Sequence, residues 1–301
     1  MDSSLFKYDT AVAAALGAKT PIVALESTVT AHGLPRPQNL ATARRLEEIV
    51  REGGAIPATV AILQGQLRVG LTSEEIHFIA ANDDIKKISI RDLPLAVAQK
   101  WNGATTVAST SWIAARAGIK VFATGGIGGV HRGELPDISG DLPALATTPI
   151  VVVCSGAKIV LDLPATREWL ETYGITVVGY QCDELPAFYS CTSGLSVDTR
   201  VDSPGEVAKI FQAQQALGIE RALLVTVPVP AEFELPAVDL ERTLNAALQE
   251  AEGQQVGGRE LTPFLLSRMA QMSEGATLKT NIALLENNTR VAAEIAKALT
   301  D

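Results

Sequence analysis

Four places in this sequence set reactive side chains where an apolar run stops. The run 21–25, Pro-Ile-Val-Ala-Leu, ends at Glu26, and a carboxyl group directly behind a buried strand is poorly solvated. Poor solvation favours the neutral acid and suits Glu26 to donate a proton near neutral pH. The bland alternative is a carboxylate that caps a turn or pairs with an arginine. The segment 124–133, Thr-Gly-Gly-Ile-Gly-Gly-Val-His-Arg-Gly, carries four glycines in the five positions 125–129. Such a loop lets backbone N–H groups approach an anion closely, although glycine turns also serve structure alone. His131 and Arg132 beside it point to an anion or phosphate site. The loop is not a dinucleotide fingerprint, because His131 stands where the third glycine of G-x-G-x-x-G belongs, and no G-x-x-x-x-G-K-[ST] occurs.

The third place is Asp137-Ile-Ser-Gly-Asp141. Two carboxylates with a hydroxyl between them offer hard oxygen ligands to Mg²⁺ or Mn²⁺. Equally, Asp137 can start a turn and Asp141 can cap the next helix. The fourth is Ile150-Val-Val-Val-Cys-Ser-Gly-Ala-Lys158, a lone lysine after an apolar run and a short turn. Burial there disfavours the ammonium and leaves an amine able to attack a carbonyl-like carbon. The alternative is a lysine that snorkels to solvent at a sheet edge. Cys154 sits in apolar surroundings and reads as an inert thiol. His77 is a helix-face residue without a role, and Asn287 and Asn288 are polar contacts to neighbouring elements.

Positioning these groups falls to an alternation of short apolar runs and longer amphipathic stretches. Strands are expected over 21–25, 58–63, 66–70, 86–90, 104–108, 120–124, 150–154, 175–179 and 222–227, with a hairpin around Gln64-Gly65. Helices are expected from Pro37 to the Gly53-Gly54 pair, then over 94–102, 165–173 and 204–217, with Ser203 capping the last. Beyond Pro236 the pattern turns helical, over 238–252, 263–272 and 281–299. This order predicts an α/β fold: a three-layer α/β/α sandwich around a mixed, largely parallel sheet, with a helical C-terminal region. In such sheets ligands bind beyond the carboxyl ends of the strands, where the four interruptions lie. No repeat or low-complexity segment interrupts the chain, and 227–236 reads as a packed connection, so a single domain over 1–301 is expected.

Composition narrows the function classes. The chain has 301 residues, 47% hydrophobic but only 5% aromatic, so small aliphatic side chains must fill the core. A net charge of −9 without a basic run argues against a nucleic-acid polymer as partner. Mean hydropathy is +0.19, yet no apolar run approaches the roughly 18 residues that span a membrane. The start of the chain lacks a basic segment followed by a long apolar one, as a secretory leader would require. Three cysteines, odd in number and without zinc spacing, read as reduced thiols. A cytoplasmic location is the expectation.

Taken together, these segments resemble the pseudouridine-5′-phosphate glycosidase family. The resemblance rests on ALESTVTAHGLPRPQNLA, the K-x-S-x-R-D-L-P stretch from Lys87 to Pro94, NGATTVAST, IKVFATGGIGGVHRG, DISGDL, VVVCSGAK, TPFLL and LKTNIALLENN. They occur in family order and extend from about Ile22 to the C-terminus. The resemblance implies that Lys158 forms a covalent sugar adduct and that Glu26 is the proton donor. It further implies that Asp137 ligates a divalent cation, usually Mn²⁺, largely through water, with Mg²⁺ or another divalent ion as the alternative. Lys87, Val107, Ser139, Gly140 and Asp141 match substrate contacts, and Thr124, His131 and Asn281 lie in matching motifs as pocket candidates. The implied reaction is reversible cleavage of pseudouridine 5′-phosphate to uracil and ribose 5-phosphate through a lysine imine, in a homotrimer.

Two departures bear on specificity. Ile90 replaces the first of two arginines usual before D-L-P, and Ser155 and Ile159 replace the alanine and serine of the commoner C-A-G-A-K-S turn. They leave open a C-glycosynthase that joins ribose 5-phosphate to another acceptor. A non-catalytic sugar-phosphate binding protein is the alternative of another class.

Overall fold

The computed structural model describes residues 3–133, 137–258 and 261–300. Its strands are β1 (Phe6–Tyr8), β2 (Ile22–Leu25), β3 (Ile56–Leu63), β4 (Gln66–Val69), β5 (Lys86–Ile88), β6 (Gly103–Thr105), β7 (Val121–Ala123), β8 (Val130–His131), β9 (Val151–Cys154), β10 (Leu161–Asp162), β11 (Thr176–Tyr180), β12 (Thr199–Val201) and β13 (Leu223–Thr226). Its α-helices are α1 (Thr10–Ala18), α2 (Gln38–Glu52), α3 (Ser73–Ala81), α4 (Leu93–Ala98), α5 (Val107–Arg116), α6 (Asp141–Leu145), α7 (Leu163–Thr172), α8 (Pro204–Ala216), α9 (Ala237–Gly253), α10 (Leu261–Met272) and α11 (Ala276–Ala298).

The main sheet runs β1-β4-β3-β2-β7-β9-β13-β11-β12, with β6 joining β3 and β5 joining β6. The pairs from β3 through β2, β7, β9, β13 and β11 to β12 are all parallel. Antiparallel pairing enters where β3 meets β4 and β6, so the sheet is mixed and largely parallel, as expected. The β3–β4 hairpin turns at Gln64 and Gly65, with φ of 53° and 75°, the paired positive values that match the twist of a tight hairpin. Helices cover both faces. Helix α11 packs on β2, β7 and β9, with α2 and α8 beside it, whereas α5 packs on β2, β3 and β7 with α6 against it.

Burial follows from strand composition. β2, β9 and β13 are buried at every position, as unbroken aliphatic runs in a doubly covered parallel sheet should be. Ser203 caps α8 through a capping box with Glu206, and the helical C-terminal region forms as α9, α10 and α11. The stretch 227–236 is a packed connection: Val227 and Val229 are buried, and a short 3₁₀ turn spans Ala231–Phe233.

Three local expectations are corrected. The strand expected over 104–108 stops at Thr105, because Thr106 is the N-cap of α5, which starts at Val107. The strand expected over 86–90 stops at Ile88, because Ser89 and Asp92 close a capping box around the turn Ile90–Asp92. The helix expected over 94–102 ends at Ala98, because Lys100 takes a φ of 53° and the Trp101 N–H turns back to the Ala96 carbonyl at 2.9 Å. Strand β1, helix α1, whose Asp9 side chain accepts from the Ala11 N–H, and the small β8–β10 pair were outside the sequence reading. Among the described residues no helix is long and apolar enough to cross a membrane.

Candidate active site

Three neighbouring strands set the floor of the site. Leu25 of β2 lies opposite Ala123 of β7, and Ala123 lies opposite Val153 of β9. The next residues, Glu26 and Thr124, therefore emerge at one level of the sheet, and the turn carrying Lys158 starts at Ser155 beside them. The Thr124 hydroxyl donates to Glu26 Oε1. Behind Glu26, Ser27 Oγ donates to the Val60 carbonyl at 2.6 Å and accepts from the Thr105 N–H at 2.9 Å, which ties the chain after β2 to β3 and β6. A single π-turn, Val29–Gly33, then bends His32 over the strand ends.

Lys158 is fixed by its backbone. Its N–H donates to the Ile127 carbonyl at 3.1 Å, and Ala157 bridges Ile127 in parallel fashion. The turn requires Gly156: its φ is +79°, and a Cβ there would stand 2.1 Å from the Pro186 carbonyl oxygen. Lys158 is half-buried and lines the cavity, so its stem packs while its amine faces the space beside Glu26.

The glycine loop lines the cavity through Gly125, Gly126 and Gly128, and part of its backbone is committed within the protein. The Ile127 N–H donates to the Gly156 carbonyl at 3.0 Å, and the Gly128 N–H donates to Asp141 Oδ2 at 2.8 Å. What the loop needs is space, since added Cβ atoms would meet Phe188 at 2.7 Å from Gly126, Ser139 at 2.1 Å from Gly128 and Thr166 at 2.4 Å from Gly129. Arg132 is exposed and not among the lining residues; its Nε donates to the carbonyl of Leu161, which is one of them, at 3.2 Å. Close packing accounts for these glycines.

Asp141 is similarly committed. Its Oδ1 accepts from the Ala108 N–H at 2.9 Å, and with Oδ2 on Gly128 this buried carboxylate bridges the glycine loop to the first turn of α5. The sequence alternative in which Asp141 caps its own helix does not hold: α6 starts at Asp141 with Gly140 as N-cap.

All residues expected at the site meet on one cavity of about 630 Å³. Glu26, Thr124 and Lys158 lie with Lys87, Val107, His131, Asp137, Ser139, Gly140, Asp141 and Asn281 on its wall. Val107 is the first residue of the ten-residue α5 and lines the cavity; its N-cap Thr106 makes no side-chain capping bond, and the next N–H, of Ala108, is taken by Asp141. Lys87 and the Ser89–Gly140 contact, 3.1 Å from the Ser89 hydroxyl to a Cβ built on Gly140, flank the same corner. A helix N-terminus beside a lysine and two hydroxyl-bearing loops suits a phosphate.

Electrostatics divide the roles. Burial holds the Glu26 carboxyl above its ordinary range and outweighs the downward pull of Lys158 and of the Thr124 hydrogen bond; Asp141 adds to the rise and Lys87 opposes it. Burial also lowers His131, against the opposing pull of Asp137, with Lys87 and Lys158 adding to the drop, so its imidazole is poised as a neutral group. Cys154 is pushed up to about 12 by burial, in keeping with an inert thiol.

Among the described residues no group of three or more His, Cys, Asp and Glu side chains is arranged to cage a metal ion. Asp137 is an exposed carboxylate on the cavity wall, and the Asp141 oxygens are taken by two N–H groups. This donor set fits a divalent ion that keeps most of its water and is held by Asp137, rather than one shared between Asp137 and Asp141.

Several lining residues escaped the sequence reading: Thr28 just before the π-turn, Val29 and His32 on it, Thr106, Phe188, and Thr262, Pro263 and Leu266 of α10. Thr28 Oγ1 is buried without a hydrogen-bond partner. Phe188 has φ of 64° and is buried against Gly126. Asn288 and Ser155, read as neighbour contacts or departures, form a buried pair at 3.2 Å behind the glycine loop.

The model of the family described as "Indigoidine synthase A like protein" matches residues 11–298. A pseudouridine-5′-phosphate glycosidase of Caldanaerobacter subterraneus subsp. tengcongensis is 50% identical over 290 residues, covering 96% of this chain and 94% of the relative. One of Geobacillus kaustophilus is 49% identical over 290 residues, covering 96% of each. Among solved structures, an indigoidine synthase A-like protein of Thermotoga maritima has a TM-score of 0.88 at 41% identity, covering 93% of this chain and 94% of that one. A prealnumycin C-glycosynthase solved with ribulose 5-phosphate has a TM-score of 0.90 at 38% identity, covering 98% and 97%. With similarity of this extent over nearly its whole length, the chain belongs to the pseudouridine-5′-phosphate glycosidase family, within the indigoidine synthase A-like proteins.

Proposed function

We propose that this enzyme reversibly cleaves the C1′–C5 bond of pseudouridine 5′-phosphate to uracil and ribose 5-phosphate, with Lys158 as nucleophile and Glu26 as acid. The observation that carries the reading is the meeting of Glu26, whose carboxyl is raised by burial, and Lys158 on one cavity, beside the start of α5. Carbon is a poor leaving group, so direct expulsion of the base is unfavourable. Glu26 protonates the ribose ring oxygen while Nζ of Lys158 bonds to C1′, and the C1′–O4′ bond opens. The nitrogen lone pair then forms the C1′=N imine as the C1′–C5 bond breaks and C5 takes a proton. Water hydrolyses the imine, releases ribose 5-phosphate and restores the amine. Dividing the reaction this way lowers each barrier.

The phosphate sits at the start of α5, on Val107 with Lys87, Ser139 and Gly140 around it, while Asn281 and His131 face the rest of the substrate. A Mn²⁺ or Mg²⁺ ion held through water by Asp137 supplies local positive charge when bound. Asp141 acts by holding the loop and α5 together. A homotrimer of single-domain, cytoplasmic subunits completes the proposal, and sedimentation of the purified chain tests its assembly.

Uracil release from pseudouridine 5′-phosphate, measured with and without Mn²⁺, tests the reaction. Borohydride trapping with ribose 5-phosphate, mapped by mass spectrometry, tests the mechanism, and absence of an adduct on Lys158 in active enzyme refutes it. A second reading, C-glycosynthesis onto another ring, is favoured by Ile90 and Ile138 on the cavity wall and by the solved C-glycosynthase relative. A comparison of uracil with larger apolar acceptors in the synthetic direction separates the two. A non-catalytic binding role has no support from the named relatives.

A further inference from the structure

The acid and the nucleophile follow different strands, and one residue outside the cavity lining bonds both to the segment whose Thr124 holds the acid and to the turn that leads to the nucleophile. Asn288, fully buried on α11, donates through Nδ2 to the Thr124 carbonyl at 2.9 Å and more distantly to the Gly125 carbonyl at 3.4 Å. Its Oδ1 accepts from the Ser155 hydroxyl at 3.2 Å. Ser155 opens the turn to Lys158, and its N–H donates to the Gly125 carbonyl at 2.9 Å. Thr124, whose carbonyl Asn288 holds, is the residue whose hydroxyl donates to Glu26.

From this arrangement, and resting on the proposed reaction, we infer that Asn288 is a positioning residue that clamps the Thr124 peptide and the Ser155 turn together, and so sets the Thr124 hydroxyl on Glu26. The amide is suited to the task because it offers a donor to the carbonyls and an acceptor to the serine from one planar group. Neither end has water to replace a lost bond, since Thr124, Ser155 and Asn288 are all buried. The serine that departs from the family's commoner alanine is therefore the clamp's own hydrogen-bond donor. With the Thr124 hydroxyl on Oε1, the proton of Glu26 is left to Oε2.

The charged groups that act on Glu26 are Lys158 after β9, Asp141 at the start of α6 and Lys87 on β5; α11 contributes none of them. Removal of the clamp leaves those charges in place and releases the hydroxyl, whose bond favours the carboxylate form. Asn288→Ala is accordingly expected to lower kcat for uracil release on the order of 100-fold, the scale of a misplaced catalytic group, with little change in KM. The alkaline limb of its kcat–pH profile moves to higher pH, as it does in Thr124→Val. The double variant Thr124→Val/Asn288→Ala shows no further limb shift beyond Thr124→Val, because both changes act through one hydroxyl. Ser155→Ala, which removes only the 3.2 Å bond, moves the limb in the same direction by less and serves alone should Asn288→Ala fail to fold.

An unmoved limb in Asn288→Ala, or in Ser155→Ala where that variant stands alone, overturns the clamp, as does a fully additive shift in the double variant. Wild-type protein that neither releases uracil nor traps ribose 5-phosphate on Lys158 overturns the proposed reaction instead. An active wild type with unmoved variants overturns the clamp only.

Discussion

Gly128→Ala separates the two things a glycine loop can do, which are to cradle an anion or to let other elements come close. A methyl group at this position would stand 2.1 Å from Ser139 Oγ, 2.6 Å from Ser139 Cβ and 2.7 Å from Asp141 Oδ2. Relief of such overlap costs about 1–3 kcal/mol. The displacement also strains the 2.8 Å bond from the Gly128 N–H to Asp141, and a hydrogen bond to a charged group contributes about 1.5–3 kcal/mol. With a loss of about 4 kcal/mol, at about 2 °C per kcal/mol for a chain of this size, Tm falls by about 8 °C. Gly205→Ala is the control, because nothing lies within 4 Å of a Cβ there, and in the first turn of α8 it does not lower Tm and raises it by at most about 2 °C. The assay is thermal unfolding followed by circular dichroism, with ribose 5-phosphate affinity from calorimetry alongside. A Gly128→Ala protein that keeps the wild-type Tm yet loses ribose 5-phosphate binding would show that the loop itself holds the phosphate, and the packing account would be wrong.

Lys158→Ala is expected to abolish turnover and borohydride trapping while Tm stays within about 2 °C, since a half-buried side chain on a cavity wall supports little packing. For Glu26, burial raises the folded carboxyl above its ordinary 4.5, so between that pH and the folded value the native protein keeps a proton that the unfolded chain has lost. Stability therefore falls as pH rises across this window, and urea unfolding of Glu26→Gln follows a flatter course there; an identical pH dependence in the two proteins refutes the burial argument. Asp137→Ala weakens Mn²⁺ binding at least 10-fold by calorimetry, in line with loss of the one side-chain ligand, and leaves the melting curve of the metal-free protein unchanged.

The sheet and the level of the reactive groups were legible in the sequence because a buried parallel strand is an unbroken aliphatic run. Glu26, Thr124 and the Ser155–Lys158 turn each follow one. Residues 104–108 misled because Ala-Thr-Thr-Val-Ala is rich in β-branched side chains, while the switch to helix at Val107 depends on packing of Ala108, Thr110 and Ile113 that periodicity over so short a window cannot reveal. The glycine loop is ambiguous for a different reason. Anion binding and close approach call for the same residue, and only the positions of Phe188, Ser139 and Thr166, each distant in sequence, decide between them. Phe188 itself left no local signal. Its place on the cavity follows from a positive φ and from contact with Gly126, both products of tertiary packing. The serine at position 155 was visible only as an oddity until its partner on α11 was placed.

The order β2-β7-β9 has a consequence for how such enzymes diverge. Acid and nucleophile follow two strands with one strand between them, so their roots are set by ladder spacing, about 4.8 Å per strand. The turn Ser155–Lys158, which needs Gly156 and is held on the Ile127 carbonyl, completes the separation. The cavity wall also takes residues from the π-turn at Val29–Gly33 and from α10, elements free of the ladder. Lineages can therefore exchange those residues, and with them the ring that is accepted, while the strand spacing beneath the acid and the nucleophile's turn is inherited. A library confined to Val29, His32, Thr262 and Leu266 is the place to search for new acceptors.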